Sequence, residues 1–426
     1  MNVYLDSVGC RLNQSEIDRI ARQFAQAGHQ LVEDALQADL VVINTCAVTA
    51  KAASDSRGKI RQAVRMNPNV KIISTGCWST LDADRAAQME NVVKVALNQE
   101  KENLVGDYLS LPENYFNTTA APYDILIPGS HAHIRAFIKV QDGCDNFCTF
   151  CVTRIARGKS VSLSAREIIT EIQSIADNGT HEVVLSGVNL GAWGRDLPNS
   201  KQLSDLLQMI LKETDIPRIR LSSLEPWDIG EDFFSLWKNP RLCRHFHLPL
   251  QSGSDSVLKR MGRRITTGKY LALAQAAQQM IPDLALTTDI IVGFPGETEE
   301  EFQQTLAFVK QINFSGGHIF SYSARPGTPA DRMDGLIEKS VKKERSLILR
   351  EAFKRMGENF RTAQVGKQFQ VLWETSHPLD NGKYLSSGLT DTYLRIKMES
   401  DLDLAGTIQS IQITGQRKGI LQGKKF

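Results

Sequence analysis

Through the first hundred residues, short apolar runs alternate with stretches whose apolar residues recur three and four positions apart. Val3-Tyr4-Leu5 reads as a strand that breaks at Gly9. From Asn13 to Gly28, Ile17, Ile20, Ala21 and Phe24 keep helical spacing and the glycine ends the helix. Ala38 to Thr45 is a nearly continuous apolar run, the mark of a buried parallel strand. Lys51 to Met66 predicts a helix, and Val70 to Ser74 a strand ending at Gly76. This β-α-β-α-β layout predicts a small open α/β domain over residues 1–115.

Residues 105–130, with Leu111-Pro112-Glu113-Asn114, read as a linker. A second α/β region follows over 130–360. Strands are predicted at Ala136–Val140, Glu182–Leu185, Ile219–Ser222, His245–Pro249, Leu286–Val292 and His318–Ser321. Helices are predicted between them at Ala165–Asn178, Lys201–Thr214, Ser254–Met261, Thr267–Met280 and Thr298–Gln311. Six such units fit a partial parallel (β/α)6 barrel, which carries its active groups at the carboxyl ends of its strands. An amphipathic helix over 340–362 presents Leu349, Phe353, Met356 and Phe360.

From residue 363 to 426 the pattern turns to short strands, Phe369–Trp373, Tyr393–Met398 and Thr407–Thr414. Gly382, Gly388, Gly406 and Gly415 serve as punctuation, which suggests a small antiparallel β-barrel of OB type. The end, Gln416 to Phe426, is basic without an acid. It reads equally as a solvated tail or as part of an RNA-binding surface.

Composition narrows the class. The 426 residues allow two or three domains, and the net charge of +2 confines nucleic-acid contact to local patches. No run is long and apolar enough for a membrane span, and no secretory leader is visible, so a cytoplasmic protein is expected. Seven cysteines in such a chain point to metal ligation or catalysis rather than a disulfide framework.

Three of the seven, Cys144, Cys148 and Cys151, lie within eight residues, followed by no close histidine or fourth cysteine. Thiolates in this pattern suit an iron–sulfur cubane with one iron left open; a zinc knuckle or three buried cysteines are the other readings. Cys10, Cys46 and Cys77 each follow a predicted strand, so one crevice at the sheet's carboxyl edge can gather them as a second metal site. The alternative is three small buried residues. Cys243 has no such setting and reads as structural. The strand-end loops at Gly187-Val188-Asn189, Glu225, Gln251 and Gly293 share the predicted rim with the cysteine loop. There the glycines allow close approach, and a carboxylate can accept a ribose hydroxyl, although an exposed structural acid is commoner.

The cysteine loop, with Phe150 before the third cysteine, resembles the radical S-adenosylmethionine (SAM) superfamily. Nearly the whole chain resembles its methylthiotransferase family. The resemblance rests on Gly9-Cys10-Arg11-Leu12-Asn13-Gln14-Ser15-Glu16, Asn44-Thr45-Cys46, Thr75-Gly76-Cys77, Gln141-Asp142-Gly143-Cys144, His247 to Ser254, Val292 to Glu297 and Phe320 to Ala330. Ser222 to Trp227 and Gly187 to Gly191 are similar to the branch acting on threonylcarbamoyladenosine in tRNA. Arg157 to Ser162 departs from the more basic stretch usual after the cluster loop.

The resemblance implies two [4Fe–4S] clusters. Cys144, Cys148 and Cys151 would hold the SAM-binding cluster, and Cys10, Cys46 and Cys77 the auxiliary one. It implies SAM contacts at Gly187, Asn189, Glu225, Gln251 and Gly293, with Phe150 near the adenine. It implies a C-terminal TRAM domain and methylthiolation of threonylcarbamoyladenosine beside the anticodon of tRNA. The expected partners are the anticodon stem-loop and a reductant protein, with no membrane, and a monomer is expected. The same chemistry on another tRNA adenosine or on a ribosomal protein residue is the alternative. A zinc-containing RNA-binding module without catalysis is the reading of another class.

Overall fold

A computed structural model describes residues 1–113, 115–116, 134–230 and 232–425. The chain opens with a five-stranded, wholly parallel sheet in the order β2-β1-β3-β4-β5. Its strands are β1 (Asn2–Ser7), β2 (Gln30–Leu31), β3 (Leu40–Thr45), β4 (Lys71–Gly76) and β5 (Val92–Ala96). The helices α1 (Arg11–Gln26), α2 (Ala50–Met66), α3 (Cys77–Leu81), α4 (Ala83–Ala87) and α5 (Leu104–Leu109) accompany it. β3 is buried throughout, and alternate residues serve two cores. Leu40 and Val42 pack with Ile17, Ile20 and Phe24 of α1, while Val41 and Ile43 pack with Ile60 and Val64 of α2.

The two predicted helices and three predicted strands are present here. β2 and β5 are additional: two residues carry no periodicity, and β5 follows a helix of only five. The expected linker over 105–130 is partly corrected, because residues 104–109 form α5. Asn114 and residues 117–133 lie outside the described residues.

The second region holds six parallel strands: β6 (Arg135–Lys139), β9 (Glu182–Ser186), β10 (Arg218–Leu221), β11 (His245–His247), β12 (Ala285–Val292) and β13 (Gly316–Ser321). A small hairpin of β7 (Gln141–Asp142) and β8 (Val161–Ser162) brackets the cysteine loop. The strands form two three-stranded sheets, joined by the parallel bridges Ile219↔Leu242 and Ser223↔His247. The arc therefore runs β6-β9-β10-β11-β12-β13, the expected partial barrel. Outside it lie α7 (Ala165–Asp177), α8 (Leu203–Glu213), α9 (Asp255–Arg260), α10 (Thr267–Met280), α11 (Glu299–Ile312) and α12 (Lys339–Thr362). The short α6 (Thr153–Arg157) leaves the cysteine loop. Helix α1 lies along the open side, where Ser15 Oγ accepts the Lys139 N–H at 3.1 Å.

The last region is a closed barrel in the order β14-β15-β16-β18-β17, made of β14 (Gln368–Pro378), β15 (Tyr384–Thr390), β16 (Arg395–Ser400), β17 (Ile408–Arg417) and β18 (Ile420–Lys425). Three expectations need correcting. Gly388 and Gly415 lie inside β15 and β17 rather than between strands. Tyr393 sits in a turn with φ 64°, two residues before β16. Most of the basic end is strand, with Leu421 in the barrel core, so it is not a free tail.

One carboxylate in α1 is out of balance with its surroundings. Asp18 is buried, and burial raises its pKa to about 6 despite a hydrogen bond from Gln14 Nε2 at 2.8 Å. A raised acid costs stability as pH climbs from the unfolded value of 3.8 through the folded one. Asp18→Asn keeps the acceptor and removes the charge. It is expected to stabilise by about 1–3 kcal/mol at pH 8 and by nothing below pH ~4, read by denaturant unfolding at both values.

Candidate active site

All six barrel strands end at one rim, and the loops there carry the residues singled out in the sequence. Gly143, just before the first cysteine, has φ 65°, and a Cβ there would stand 1.8 Å from the Lys159 carbonyl oxygen. Only glycine lets the loop turn so tightly against β8. Thr149 fixes the middle of the loop. Its N–H donates to Met261 O at 2.9 Å, its hydroxyl to Arg260 O at 2.9 Å, and its carbonyl accepts the Ala330 N–H at 2.9 Å. Each sulfur then receives an N–H. Asn146 N lies 3.4 Å from Cys144 Sγ, Thr153 N 3.4 Å from Cys151 Sγ, and Arg263 Nη1 3.7 Å from Cys148 Sγ. Donors on all three sulfurs are what anionic thiolate ligands require. Burial pushes the free Cys144 thiol up to about 11, so binding a metal there expels a proton.

The second triad is built from the sheet edge. Cys10, Cys46 and Cys77 follow β1, β3 and β4, which are neighbours in the sheet. Gly9 and Gly76 take φ 104° and 97°. A Cβ on Gly9 would lie 2.5 Å from Cys46 Sγ, and one on Gly76 2.3 Å from Thr45 O, so both Gly-Cys steps are steric requirements. Asn13 Nδ2 donates to Val8 O at 2.8 Å and Thr45 O at 3.1 Å. Asn44 Nδ2 returns a bond to Asn13 O at 3.0 Å. Asn98 Nδ2 lies 3.7 Å from Cys77 Sγ and donates to Ala156 O in α6 at 2.7 Å, which ties this triad to the helix leaving the other. Cys46 and Cys77 are buried and Cys10 is exposed, so the group opens on one side. Burial pushes the Cys46 thiol up to about 11. Among the described residues no three His, Cys, Asp or Glu side chains are gathered to clasp a single metal ion. Two thiol-only sets of three, the loop set with an N–H donor on each sulfur, fit a larger iron–sulfur group better than a zinc knuckle.

Behind the second triad lies an ion network that the sequence did not disclose. Arg157 is buried and donates to Glu16 Oε1 at 2.8 Å, Asp142 Oδ1 at 2.8 Å and Asn13 Oδ1 at 2.8 Å. Lys101 Nζ reaches Glu16 Oε2 at 2.6 Å. Burial pushes the Glu16 carboxyl up, but Lys101 and Arg157 hold it well below the usual carboxylate range. Arg157 is therefore a strut between the sheet and the barrel. Glu16 shares the buried side of α1 with other polar residues, Asn13, Asp18 and Gln23, so nothing along the chain singled it out.

The remaining rim residues divide. Glu225 is held by Arg263 through two contacts, 3.0 Å to Oε1 and 2.7 Å to Oε2. The same guanidinium lies 4.4 Å from the Trp227 ring centroid and donates to Pro249 O at 2.5 Å. Gln251 adopts φ 74° and exchanges backbone bonds with Asp289 and Ile291. Phe150 packs with Val257, Met261, Phe294 and Tyr322. Gly187 faces Gln141, whose Oε1 a Cβ would meet at 3.0 Å and whose Nε2 donates to Gly143 O at 2.8 Å. Gly187 and Asn189, whose N–H donates to Gln141 Oε1 at 2.9 Å, thus brace the cysteine loop through Gln141. Gly293 abuts the Lys342 stem of α12, 2.1 Å from where a Cβ would be.

Along the same arc, Asn189 Oδ1, Ser222 Oγ, Trp227 Nε1, Asp289 Oδ1, Tyr322 OH and Arg325 Nε are buried without a protein partner. Buried polar atoms rarely go unpaired, and these line the strand ends where a polar ligand sits. Their mix of donors and acceptors fits an amino-acid and nucleoside ligand such as SAM.

Residues 138–309 match the Radical SAM superfamily, and residues 2–98 match Uncharacterized protein family UPF0004. The chain is 38% identical to the Threonylcarbamoyladenosine tRNA methylthiotransferase MtaB of Thermotoga maritima, over 87% of this chain and 86% of the relative. It is 33% identical to the Bacillus subtilis protein of that name over 96% and 93%. The tRNA-2-methylthio-N(6)-dimethylallyladenosine synthase of Syntrophus aciditrophicus is 31% identical over 97% and 92%. The chain belongs to the methylthiotransferase family of radical-SAM enzymes. That membership implies a [4Fe–4S] cluster and SAM. Among solved structures, the radical SAM methyltransferase TsrM from Kitasatospora setae superposes with a TM-score of 0.57 at 14% identity, over 78% of this chain and 77% of that one. This likeness shows the barrel fold alone. No helix among the described residues is long and apolar enough to cross a membrane.

Proposed function

We propose that this methylthiotransferase acts on N6-threonylcarbamoyladenosine beside the anticodon of tRNA and gives the 2-methylthio derivative. The observation that carries this reading is the ranking of relatives. Five that bear the threonylcarbamoyladenosine name are 33–38% identical over at least 86% of this chain, whereas the dimethylallyladenosine synthases are 31–33% identical. The ribosomal-protein alternative finds no support among these names.

In this reading Cys144, Cys148 and Cys151 hold the cluster that binds SAM, and Cys10, Cys46 and Cys77 hold a second [4Fe–4S] cluster. When bound, the clusters and SAM supply radical hydrogen abstraction and sulfur, chemistry that no side-chain acid or base offers. The chain's own part is position. Arg263 donates to Cys148 and fixes Glu225, Gln141 braces the loop, and the buried unpaired atoms of the rim orient SAM. Arg157 and Asn98 hold the two triads in one fixed relation. The closed C-terminal barrel serves as the RNA-binding TRAM domain, and a separate reductant protein supplies electrons.

Mass spectrometry of tRNA nucleosides from cells with and without the gene tests the reading. The expected result is that the 2-methylthio form disappears while threonylcarbamoyladenosine persists. An unchanged pair of nucleosides would overturn the assignment of substrate.

A further inference from the structure

Helix α12 carries a row of like charges along one face. Lys339, Lys343, Arg350, Lys354 and Arg361 are spaced four, seven, four and seven residues apart. At 100° per residue they fall within an arc of about 60° and extend along about 33 Å of helix. Glu344, Glu351 and Glu358 lie on the neighbouring face together with Arg355, and Lys342 and Arg345 lie outside both. Lys339, Lys343, Arg350 and Lys354 are exposed, and Arg361 is half-buried.

The basic row borders two grooves against the edge strand β13. One of about 880 Å³ is lined by Ser321 to Ala324 together with Lys339, Lys343 and Arg350. The other, of about 480 Å³, is lined by Gly316 to Phe320 together with Arg350, Lys354 and Arg361. The row also joins other surfaces at both ends. Ser321 to Ala324 leave β13 at the catalytic rim. At the far end Arg361 Nε donates to Gln416 Oε1 at 3.3 Å, beside Arg417 and Lys418 of the C-terminal barrel.

We infer that the basic face of α12 is a phosphate track for the tRNA, continuous from the C-terminal barrel to the rim that holds the cysteine loop. The inference rests on the tRNA reading above and adds a surface to it. A compact acidic protein would need a clustered patch, whereas a single row along a helix follows the line of a nucleic-acid backbone. Uniform solvation does not account for the row, because no acidic residue of α12 falls within its arc. The near-neutral chain concentrates positive charge where the polyanion passes.

The experiment uses full-length protein and tRNA that carries N6-threonylcarbamoyladenosine without the 2-methylthio group, with binding titrated from low to high salt. Lys339→Ala, Lys343→Ala and Lys354→Ala are combined, since these lysines are exposed and lie on no strut of the fold. Wild type is expected to bind with a steep salt dependence. The triple variant is expected to bind about 10–30-fold more weakly, with the slope of log K against log salt reduced by about 2–3. Arg355→Ala, on the other face and paired with Glu351 at 3.0 Å, is expected to change neither. Unchanged affinity and slope in the triple variant, beside a wild type that binds, would overturn the track and leave the tRNA reading intact. Intact tRNA binding with slower reduction by an acidic electron-carrier protein would overturn it in favour of a protein partner. A wild type that fails to bind tRNA removes the reading beneath it.

Discussion

Replacing Cys10, Cys46 and Cys77 together by alanine is expected to leave a protein that holds about four of about eight irons and forms no methylthio product. It is expected to cleave SAM still, under reducing conditions. Replacing Cys144, Cys148 and Cys151 is expected to remove the other half of the iron and to abolish SAM cleavage as well. The asymmetry follows from how each set is held. The sheet-edge triad, Cys10, Cys46 and Cys77, hangs from three neighbouring strands with cores of their own, around Val41 and Ile60 on one face and Leu40 and Phe24 on the other. The other is a single loop pinned to Gly158, Arg260 and Met261 of the barrel. Neither anchoring depends on the other's sulfurs, so each set can be removed without unfolding its counterpart. Iron and acid-labile sulfide analysis, the reduced-cluster electron paramagnetic resonance signal and release of 5′-deoxyadenosine separate the outcomes. A Cys10/Cys46/Cys77 variant with the full iron load would show that those three cysteines hold no cluster. Zinc in place of iron in the wild type would restore the noncatalytic reading.

What could be read along the chain was local. The apolar run of β3 and the periodicity of α7 need no distant partner, and both appear where expected. The strand-end position of three cysteines also carried to the structure, because parallel strands place their carboxyl ends together whatever lies between them. Strand β15 escaped because Gly388 looks like a breaker. There a Cβ would stand 2.4 Å from Leu372 O, so the glycine lets two strands close up rather than ending one. Gly423 does the same in β18, 2.4 Å from Ile411 Cγ2, and turned a strand into an apparent tail. The long-range ion pairs were invisible for a different reason. Arg157 and Glu16 are 141 residues apart, and nothing in either neighbourhood names the other. A basic residue near an RNA enzyme's cysteine loop suggests RNA, and only burial shows that it is a strut.

Glu182 carries the largest stability prediction. Its side chain is fully buried at the start of β9 and faces three guanidiniums: Arg135 at 3.0 Å, Arg218 at 2.8 Å and Arg220 at 3.0 Å. Burial alone would push this carboxyl up, but Arg220, Arg218 and Arg135 together hold it far below the usual carboxylate range. The arginines also reach the last barrel. Arg218 donates to Leu389 O and Thr390 O, Arg220 to Asp391 O, and Arg244 pairs with Asp391 at 2.6 Å. One acid thus neutralises the charges that clamp the C-terminal barrel beneath the catalytic one. Removing a single partner from a buried ionic group is far more costly than replacing the whole group, because the remaining charges stay desolvated and unpaired. Glu182→Ala is expected to destabilise by about 3–5 kcal/mol and to make the C-terminal barrel the first part released in limited proteolysis. The pH dependence has a definite sign. A depressed carboxylate lends its stability above the unfolded pKa of 4.5, and that stability is lost as pH falls toward the folded value. The difference between wild type and variant should therefore be flat from pH ~5 upward and shrink below pH ~4. Denaturant melts across that range measure it, and equal stabilities at pH 7 would mean that solvent, not Glu182, neutralises the three arginines.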